Sequence, residues 1–216
     1  MKIKSNKLPQ SENVFLGIDQ SLSCTSLCLF DAQTLELKQI KPLYMGVPRI
    51  TEIYDIFDEF LKENGSRLTG AAIEGYAYSA KGAVFNLGEL GGVLRLALSK
   101  HGIPTIEVPP TFLKKTITGK GNSPKNVMIK ELYKKYDVDV NDDNDGDAIA
   151  LAIVAKHFFD EELHCVKAYR TDIQKNTSQI IGKHPKPMDV HKYFEGHEDM
   201  TVAVYEKTIR KKKETK

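Results

Sequence analysis

The chain has 216 residues, of which 41% are hydrophobic and 28% charged, as in ordinary soluble globular proteins. The formal net charge is only +2, so the overall charge does not indicate an acidic or a basic partner. Three cysteines form neither an even disulfide set nor a CxxC pair, which predicts free thiols in a reducing compartment. A polar N-terminus without an apolar core, and the lack of any run of about 18 apolar residues, predict a cytoplasmic protein with no membrane partner.

Two short β-rich runs follow the N-terminus, and a third is expected after them. Val14 to Asp19 and Thr25 to Asp31 are separated by a Ser-rich bend, and Leu35 to Leu43 follows closely, which predicts three antiparallel strands. Asp19 ends the first apolar run. Burying an unpaired carboxylate costs several kcal/mol unless a cation or dense hydrogen bonding compensates, so Asp19 is the first candidate for chemistry.

The next elements alternate between helix and strand. Apolar residues from Ile50 to Leu61 recur at helical spacing, and Gly82 to His101 predicts a long second helix. Between them, Ala71 to Ile73 is a short buried strand that leads to Glu74, and Pro104 to Val108 reads as another strand. Antiparallel strands followed by alternating helices and strands predict a mixed sheet with helices on its faces.

The segment from Pro110 to Lys135 is rich in lysine. Thr118 to Asn122 is predicted to be a flexible loop, with Ser123 as N-cap and Pro124 as first residue of the next helix. Backbone amides, lysines and a helix N-terminus favour phosphate binding there. The alternative is a solvated surface loop before an ordinary helix.

Acidic residues crowd the stretch from Asp137 to Asp147, just before a helix that is apolar on nearly all sides and therefore buried. Helix N-capping explains one or two of these acids, and an EF-hand loop would need a terminal Glu that is missing. Asp19, Glu74 and Asp147 thus each end or begin a buried element. Carboxylates gathered at one place favour Mg²⁺, and two such ions can promote phosphodiester cleavage. The alternative is that the acids are scattered caps and surface charges.

Four motifs, in order, resemble the RuvC-type Holliday-junction resolvases of the ribonuclease H-like superfamily, particularly phage-encoded members. They are GIDQSLSCTS at Gly17 to Ser26, AIEGYAY at Ala72 to Tyr78, FLKKTITGKGNSPK at Phe112 to Lys125 and DGDAIALA at Asp145 to Ala152. The resemblance covers roughly Val14 to Phe159. It implies an α/β ribonuclease H-like fold, with a mixed sheet whose first three strands are antiparallel and whose later strands are parallel, flanked by helices and followed by a C-terminal extension.

The resemblance also implies a function. A homodimer would cut two opposed strands of a four-way DNA junction with Mg²⁺ (two ions per site, Mn²⁺ substituting), in recombination, repair or phage DNA processing in a host cytoplasm. The catalytic carboxylates fall on Asp19, Glu74 and Asp147. Lys114 and Lys125 match basic DNA-contacting positions, and Lys125 would also neutralise charge on the scissile phosphate. We add Lys115 and Lys120 to the DNA-contacting lysines. The dimer helix carries Gly88, Gly91 and Gly92.

The chain departs from the family at one ligand position. The family commonly places Asp or His three residues before the final Asp, where this sequence has Asn144. Asp145 is preferred as the replacement if the backbone is still extended there, because alternate side chains then point to one side. Asp143 is better placed if the helix already includes these residues. Our hypothesis has Asp19 bridging two Mg²⁺ ions, Glu74 holding one, and Asp147 with Asp145 helping to hold the other.

Four regions are predicted from these patterns: a flexible N-terminus (1–12), the nuclease domain (13–163), a C-terminal extension (164–206) and a lysine-rich tail (207–216). Two other functions compete with the nuclease. An actin-like or sugar-kinase ATPase also opens with an Asp on its first strand, but a second phosphate loop and an adenosine motif are not found. A non-catalytic junction-binding protein, with a site weakened at Asn144, is the stronger alternative, and a nuclease that prefers other branched or flap DNA is a variant of the main prediction.

Overall fold

A six-stranded mixed sheet organises the described part of the chain. The structure, a computed structural model, describes residues 2–8, 13–75, 84–140 and 142–159. The strands are β1 (Lys2–Lys4), β2 (Val14–Asp19), β3 (Thr25–Asp31), β4 (Thr34–Ile40), β5 (Leu68–Glu74) and β6 (Thr105–Val108), in the spatial order β1-β4-β3-β2-β5-β6. Pairing is antiparallel from β1 through β4 and β3 to β2, and parallel from β2 through β5 to β6. The predicted mixed sheet is therefore confirmed.

The N-terminus differs from the prediction. Residues 1–12 were expected to be flexible, but Lys2–Lys4 forms β1 and pairs antiparallel with β4 at the edge of the sheet. Ile3 is buried between its two exposed lysines, which is the alternation of an edge strand with one face on the core. Three residues are too few for a strand to stand out in the sequence. The predicted C-terminal extension and lysine tail lie outside the described residues.

Helices cover both faces of the sheet. They are α1 (Val47–Asn64), α2 (Val84–Lys100), α3 (Pro110–Thr118), α4 (Lys125–Tyr136) and α5 (Asp143–Phe159), with a short 3-10 turn over Gly65–Arg67 between α1 and β5. Side chains of α1 and α2 pack with Leu16 and Ile18 on one face. Those of α3, α4 and α5 pack with Phe15 and Cys28 on the other. None of the helices in the described ranges is long and apolar enough to cross a membrane.

The alternation along β2 decides which side chains reach the α5 face. Successive side chains of a strand point to opposite faces, so Phe15, Gly17 and Asp19 share the α5 side. Gly17 is paired with Ala72 of β5, and Ala72 also packs on the α5 side. Two residues further along each strand, Asp19 and Glu74 therefore lie next to each other on that same side.

A glycine lets α5 approach β2 closely. A Cβ at Gly17 would lie 2.0 Å from the carbonyl oxygen of Ala148 and 2.3 Å from the amide nitrogen of Ala152. Any larger residue at this position would therefore push the helix away from the strand. Because Asp147 immediately precedes Ala148, this contact fixes the distance of its carboxylate from the end of β2.

Candidate active site

The three predicted carboxylates line one pocket at the carboxyl ends of β2 and β5. Its volume is about 260 Å³, and its lining residues are Asp19, Gln20, Ser21, Glu74, Leu87, Pro110, Leu113, Lys114, Lys125, Asn144 and Asp147. Asp19 is 5% and Asp147 is 6% exposed. A larger open depression of about 480 Å³ lies between Tyr44 and Ile56, but it contains none of these carboxylates. The smaller pocket is the one with convergent charged groups.

The carboxylates of this pocket resist ionisation. Burial, followed by the negative charges of Glu74 and Asp147, raises the pKa of Asp19 from 3.8 to about 8. Burial and the charge of Asp147 raise the pKa of Glu74 from 4.5 to about 7. Burial also raises the pKa of Asp147, although Lys125 opposes this shift. Full ionisation of the set at neutral pH thus requires more positive charge than the pocket's own lysines supply.

Lys125 is the first residue of α4 and reaches into the pocket. Its Nζ lies 3.2 Å from Oδ2 of Asp147, and the charges of Asp147 and Asp19 help to raise the pKa of the ammonium group despite its partial burial. A cation at the N-terminus of a helix opposes the helix dipole, so the carboxylates offset an otherwise unfavourable position. This cost favours a functional reason for placing Lys125 there.

The turn between α3 and α4 brings Lys125 back to the pocket. A Cβ at Gly121 would lie 2.9 Å from the carbonyl oxygen of Thr111, so the turn folds tightly against the first turn of α3. The hydroxyl groups of Thr118 and Ser123 lie 2.7 Å apart and hold the two ends of the turn together. The predicted N-cap was wrong: Pro124 is the N-cap, in an extended conformation, and Ser123 makes no capping hydrogen bond because its hydroxyl is engaged with Thr118.

The other predicted lysines divide into two groups. Lys114, on α3, lines the pocket, and its positive charge partly opposes the rise in the pKa of Glu74 and Asp147. Lys115 is exposed on the same helix, and Lys120 is exposed in the turn that follows it. Neither of these two lines the pocket. α3 itself was not predicted as a separate helix, because its nine residues lie within a basic stretch between two proline-containing segments.

Asp145 was preferred as a metal ligand on the premise of an extended backbone, and the structure contradicts that premise. α5 begins at Asp143, so the backbone is already helical at residues 143–147 and alternate side chains do not share a side. Asp145 is absent from the pocket lining. Its Oδ1 instead accepts hydrogen bonds of 3.0 Å from Ser26 Oγ and from Gln39 Nε2. Asp145 therefore anchors α5 to the sheet.

Asn144 and Asp143 are the remaining candidates at this end of the site. Asn144 lines the pocket three residues before Asp147, in the place where the resemblance expects a ligand. Asp143 is exposed, and its charge helps to raise the pKa of both Lys125 and Asp147. The side chain of Asp142 caps the helix, since its Oδ1 accepts a 2.9 Å hydrogen bond from the backbone N–H of Asn144.

Sequence reasoning missed two polar residues that support the site, Gln20 and Gln39. Gln39 lies beside Ser26 across the β3–β4 pair, and Ser26 lies beside Asp19 across the β2–β3 pair. Ser26 and Gln39 of this row hydrogen-bond to Asp145 in the first turn of α5. Gln39 Nε2 also lies 3.2 Å from Oδ2 of Asp142, the residue before the helix. Only the strand register reveals the row. Gln20 directly follows Asp19, and this adjacency was a signal available in the sequence.

The donor set fits a hard divalent cation. Buried carboxylate oxygens with raised pKa values, beside an amide oxygen of Asn144, are the ligand types that Mg²⁺ and Mn²⁺ prefer. Within the described ranges, however, no three His, Cys, Asp or Glu side chains are arranged as a group that could by itself hold a metal ion. An ion here would need further ligands, and Mg²⁺ commonly completes its coordination with water and substrate phosphates.

Comparisons with known proteins point to one protein family. The family model "Crossover junction endodeoxyribonuclease RuvC" matches residues 15–155. A RuvC of Afipia carboxidovorans is 31% identical over 156 residues, covering 66% of this chain and 87% of the relative. A RuvC of Brachyspira hyodysenteriae is 34% identical over 107 residues, covering 49% of this chain and 65% of the relative. The chain thus spans 65% of the length of the Brachyspira protein, and 56% and 58% of the length of the RuvC proteins of two Synechococcus strains.

Solved structures show the same fold. The chain resembles the structure titled "T. thermophilus RuvC in complex with Holliday junction substrate", with a TM-score of 0.57 and 20% identity over 65% of this chain and 91% of that one. This likeness confirms the predicted ribonuclease H-like fold class. The relatives named above are bacterial, and a phage source stays a prediction. The matched span of residues 15–155 covers most of the described elements, and the chain belongs to the RuvC family of crossover junction endodeoxyribonucleases.

Proposed function

We propose that this protein is an endodeoxyribonuclease that resolves four-way (Holliday) DNA junctions by paired nicks in a divalent-metal-dependent reaction. The observation that carries the proposal is the convergence of Asp19, Glu74 and Asp147 with Lys114 and Lys125 in one pocket, on a chain of the RuvC family. Buried acids and lysines in the same pocket suit a substrate that brings phosphate and a cofactor that brings positive charge.

The carboxylates Asp19, Glu74 and Asp147 would hold the cation, and Asn144 or Asp143 would add an oxygen. A bound divalent ion, Mg²⁺ or Mn²⁺, supplies charge that favours attack by water on phosphorus and departure of the 3′ oxygen. The described residues that line the pocket offer carboxylate and amide oxygens and include no Cys or His, which supports an oxygen-seeking ion rather than zinc. A pair of ions, as the resemblance implies, stays part of this proposal.

The lysines of the pocket would bind the scissile phosphate. Lys125 Nζ contacts Asp147 in the free protein and is about half exposed, so it can turn to a phosphate oxygen when DNA enters. A cation placed at the phosphate stabilises the charge that develops during cleavage. Lys114 lines the same pocket. The exposed Lys115 and Lys120 would contact the backbone phosphates next to the cleavage site, which supplies affinity without sequence information.

Paired nicks require two active sites, and α2 offers a surface for a homodimer. Its side chains Phe85 and Leu96 are 83% and 53% exposed, and Gly92 has no atom within 4 Å of a Cβ built on it. These residues follow one another at spacings of seven and four, so they share a helix face. Gly91, by contrast, is buried and faces the interior. An exposed apolar face with an open glycine favours close contact with a second copy.

The decisive experiment offers the full-length protein three end-labelled DNAs: a four-way junction, a Y-shaped molecule and a linear duplex. Each is incubated with and without Mg²⁺. Symmetric nicks that are confined to the junction and need the metal would support the proposal. Equal cutting of the Y-shaped DNA would indicate a nuclease for branched DNA in general. Tight junction binding without cleavage in Mg²⁺ or Mn²⁺ would favour the non-catalytic junction-binding protein and overturn the proposed activity.

A further inference from the structure

The side chain of Gln20 ties together the two strand ends that carry Asp19 and Glu74. Its Nε2 donates a hydrogen bond of 2.9 Å to the backbone carbonyl oxygen of Glu74. The regular parallel pairing of β2 with β5 ends one step earlier, at Ile18 and Ile73. The Gln20 amide therefore supplies the next link between the strands, at the point where their carboxylates enter the pocket.

This hydrogen bond fixes the orientation of the amide. A backbone carbonyl oxygen can only accept, so the nitrogen of the Gln20 amide must face Glu74 and the oxygen Oε1 must face away from it. Exchanging the two atoms would set two acceptors against each other. The position of Oε1 thus follows from the contact and not from an arbitrary choice of rotamer.

Oε1 of Gln20 has no hydrogen-bond partner among the described residues. Gln20 is 7% exposed, and its Oε1 is buried and accepts no hydrogen bond from the part of the chain that the structure describes. A buried acceptor without a donor costs about 1–3 kcal/mol, and native proteins carry few of them. The residue lines the carboxylate pocket, directly beside Asp19. This oxygen is therefore available to a ligand that enters the pocket.

We propose that Gln20 is a positioning residue of the metal site, and that its Oε1 interacts with the bound divalent cation or with a water molecule on that cation. The inference rests on the proposed function, because it needs a cation at Asp19 and Glu74. An amide oxygen adds a neutral ligand or acceptor to a set of carboxylates, which strengthens binding without further charge repulsion. The alternative is that the amide only ties β2 to β5.

Substitution at Gln20 separates these two roles. Gln20→Leu removes both the donor and the oxygen at similar size. Gln20→Glu keeps an oxygen at this place but loses the N–H group that binds the Glu74 carbonyl. The matched control is Asn64→Leu, because the Asn64 amide also donates a 2.9 Å hydrogen bond to a backbone carbonyl, that of Phe60 at the end of α1. Asp19→Asn serves as the reference for loss of the metal site.

The readout is Mn²⁺ binding to the full-length protein without DNA, followed at pH 8 by the electron paramagnetic resonance signal of free Mn²⁺. We expect Gln20→Leu to weaken Mn²⁺ binding by about tenfold or more, as losses of supporting groups at metal sites do. Gln20→Glu should bind at least as tightly as the unmodified protein, and Asn64→Leu should match it. Thermal melts of each metal-free variant confirm that it is folded.

Four results would count against the inference. Binding by Gln20→Leu within about twofold of the unmodified protein would overturn it. Equal weakening of Mn²⁺ binding in Gln20→Glu and Gln20→Leu would show that only the hydrogen bond between the strands matters. If Gln20→Leu does not fold, any weakening of Mn²⁺ binding in Gln20→Glu would overturn the inference. Unchanged Mn²⁺ binding by Asp19→Asn would instead show that the cation does not bind in the carboxylate pocket. The proposed function would then fail together with the role of Gln20.

Discussion

Replacing Gly17 with Ala should separate α5 from β2. The new Cβ would lie 2.0 Å from the Ala148 carbonyl oxygen, whereas ordinary contacts begin at 3.4 Å, so the helix would have to retreat by about 1.4 Å. Both partners are backbone atoms, and a side-chain rotation cannot relieve the clash. Overpacking in a core typically costs 1–3 kcal/mol, and we expect about 3 kcal/mol here from urea unfolding.

The same displacement should reduce junction cleavage. Asp147 precedes Ala148, so a retreat of α5 carries its carboxylate away from Asp19, and a misplacement of about 1 Å can cost roughly 100-fold in rate. Gly65→Ala is the matched control, because a Cβ there has its nearest neighbour at 3.6 Å and the backbone is already helical. A Gly17→Ala protein with stability within about 0.5 kcal/mol of the unmodified protein and normal cleavage would refute this reasoning.

Two further predictions concern the charges of the pocket. The folded state raises the pKa of Asp19 from 3.8 to about 8 and that of Glu74 from 4.5 to about 7. Between about pH 4 and pH 8 the folded protein therefore binds more protons than the unfolded chain. The free energy of unfolding of the metal-free protein should therefore fall as the pH rises from about 4 to 8, and Asp19→Asn should flatten this profile in urea titrations; a stability that rises over this range would contradict the assigned shifts. Lys125→Met should change stability by less than about 1 kcal/mol, because the ion pair with Asp147 is half exposed on the lysine side, yet it should slow single-turnover cleavage by about 100-fold. Lys134→Met, which loses an exposed pair with Glu131, is the control and should leave cleavage unchanged; equal rates in the two variants would exclude a role for Lys125.

The sequence predicted the site residues best where a charged residue interrupts or ends an apolar periodic pattern. Asp19 and Glu74 stand at the ends of buried strands, and Asp147 opens the apolar part of a buried helix, so each was an outlier against its local pattern. The meeting of Asp19 and Glu74 follows from two-residue alternation on neighbouring parallel strands, and the close contact of α5 with Gly17 brings Asp147 to them. These signals are local, and one chain is enough to read them.

The sequence was less informative where long-range register decides. Whether the chain is helical or extended at Asp143 to Asp147 determines the direction of Asp145, and an acid-rich stretch does not settle this. The bonds from Ser26 and Gln39 to Asp145 depend on the register of β3 and β4 and on the position of α5 above them. Ser123 failed as an N-cap for a similar reason, because a tertiary turn gave its hydroxyl another partner.

The central claim is that Asp19, Glu74 and Asp147 form the catalytic site and that Asp145 does not. The most direct test measures single-turnover cleavage of a four-way junction in Mg²⁺ by the variants Asp19→Asn, Glu74→Gln, Asp147→Asn and Asp145→Asn. We predict losses of about 1,000-fold or more for the first three and less than about tenfold for Asp145→Asn. A protein that keeps near-normal cleavage without the carboxylate of Asp19, or that loses it as completely without that of Asp145, would contradict this assignment.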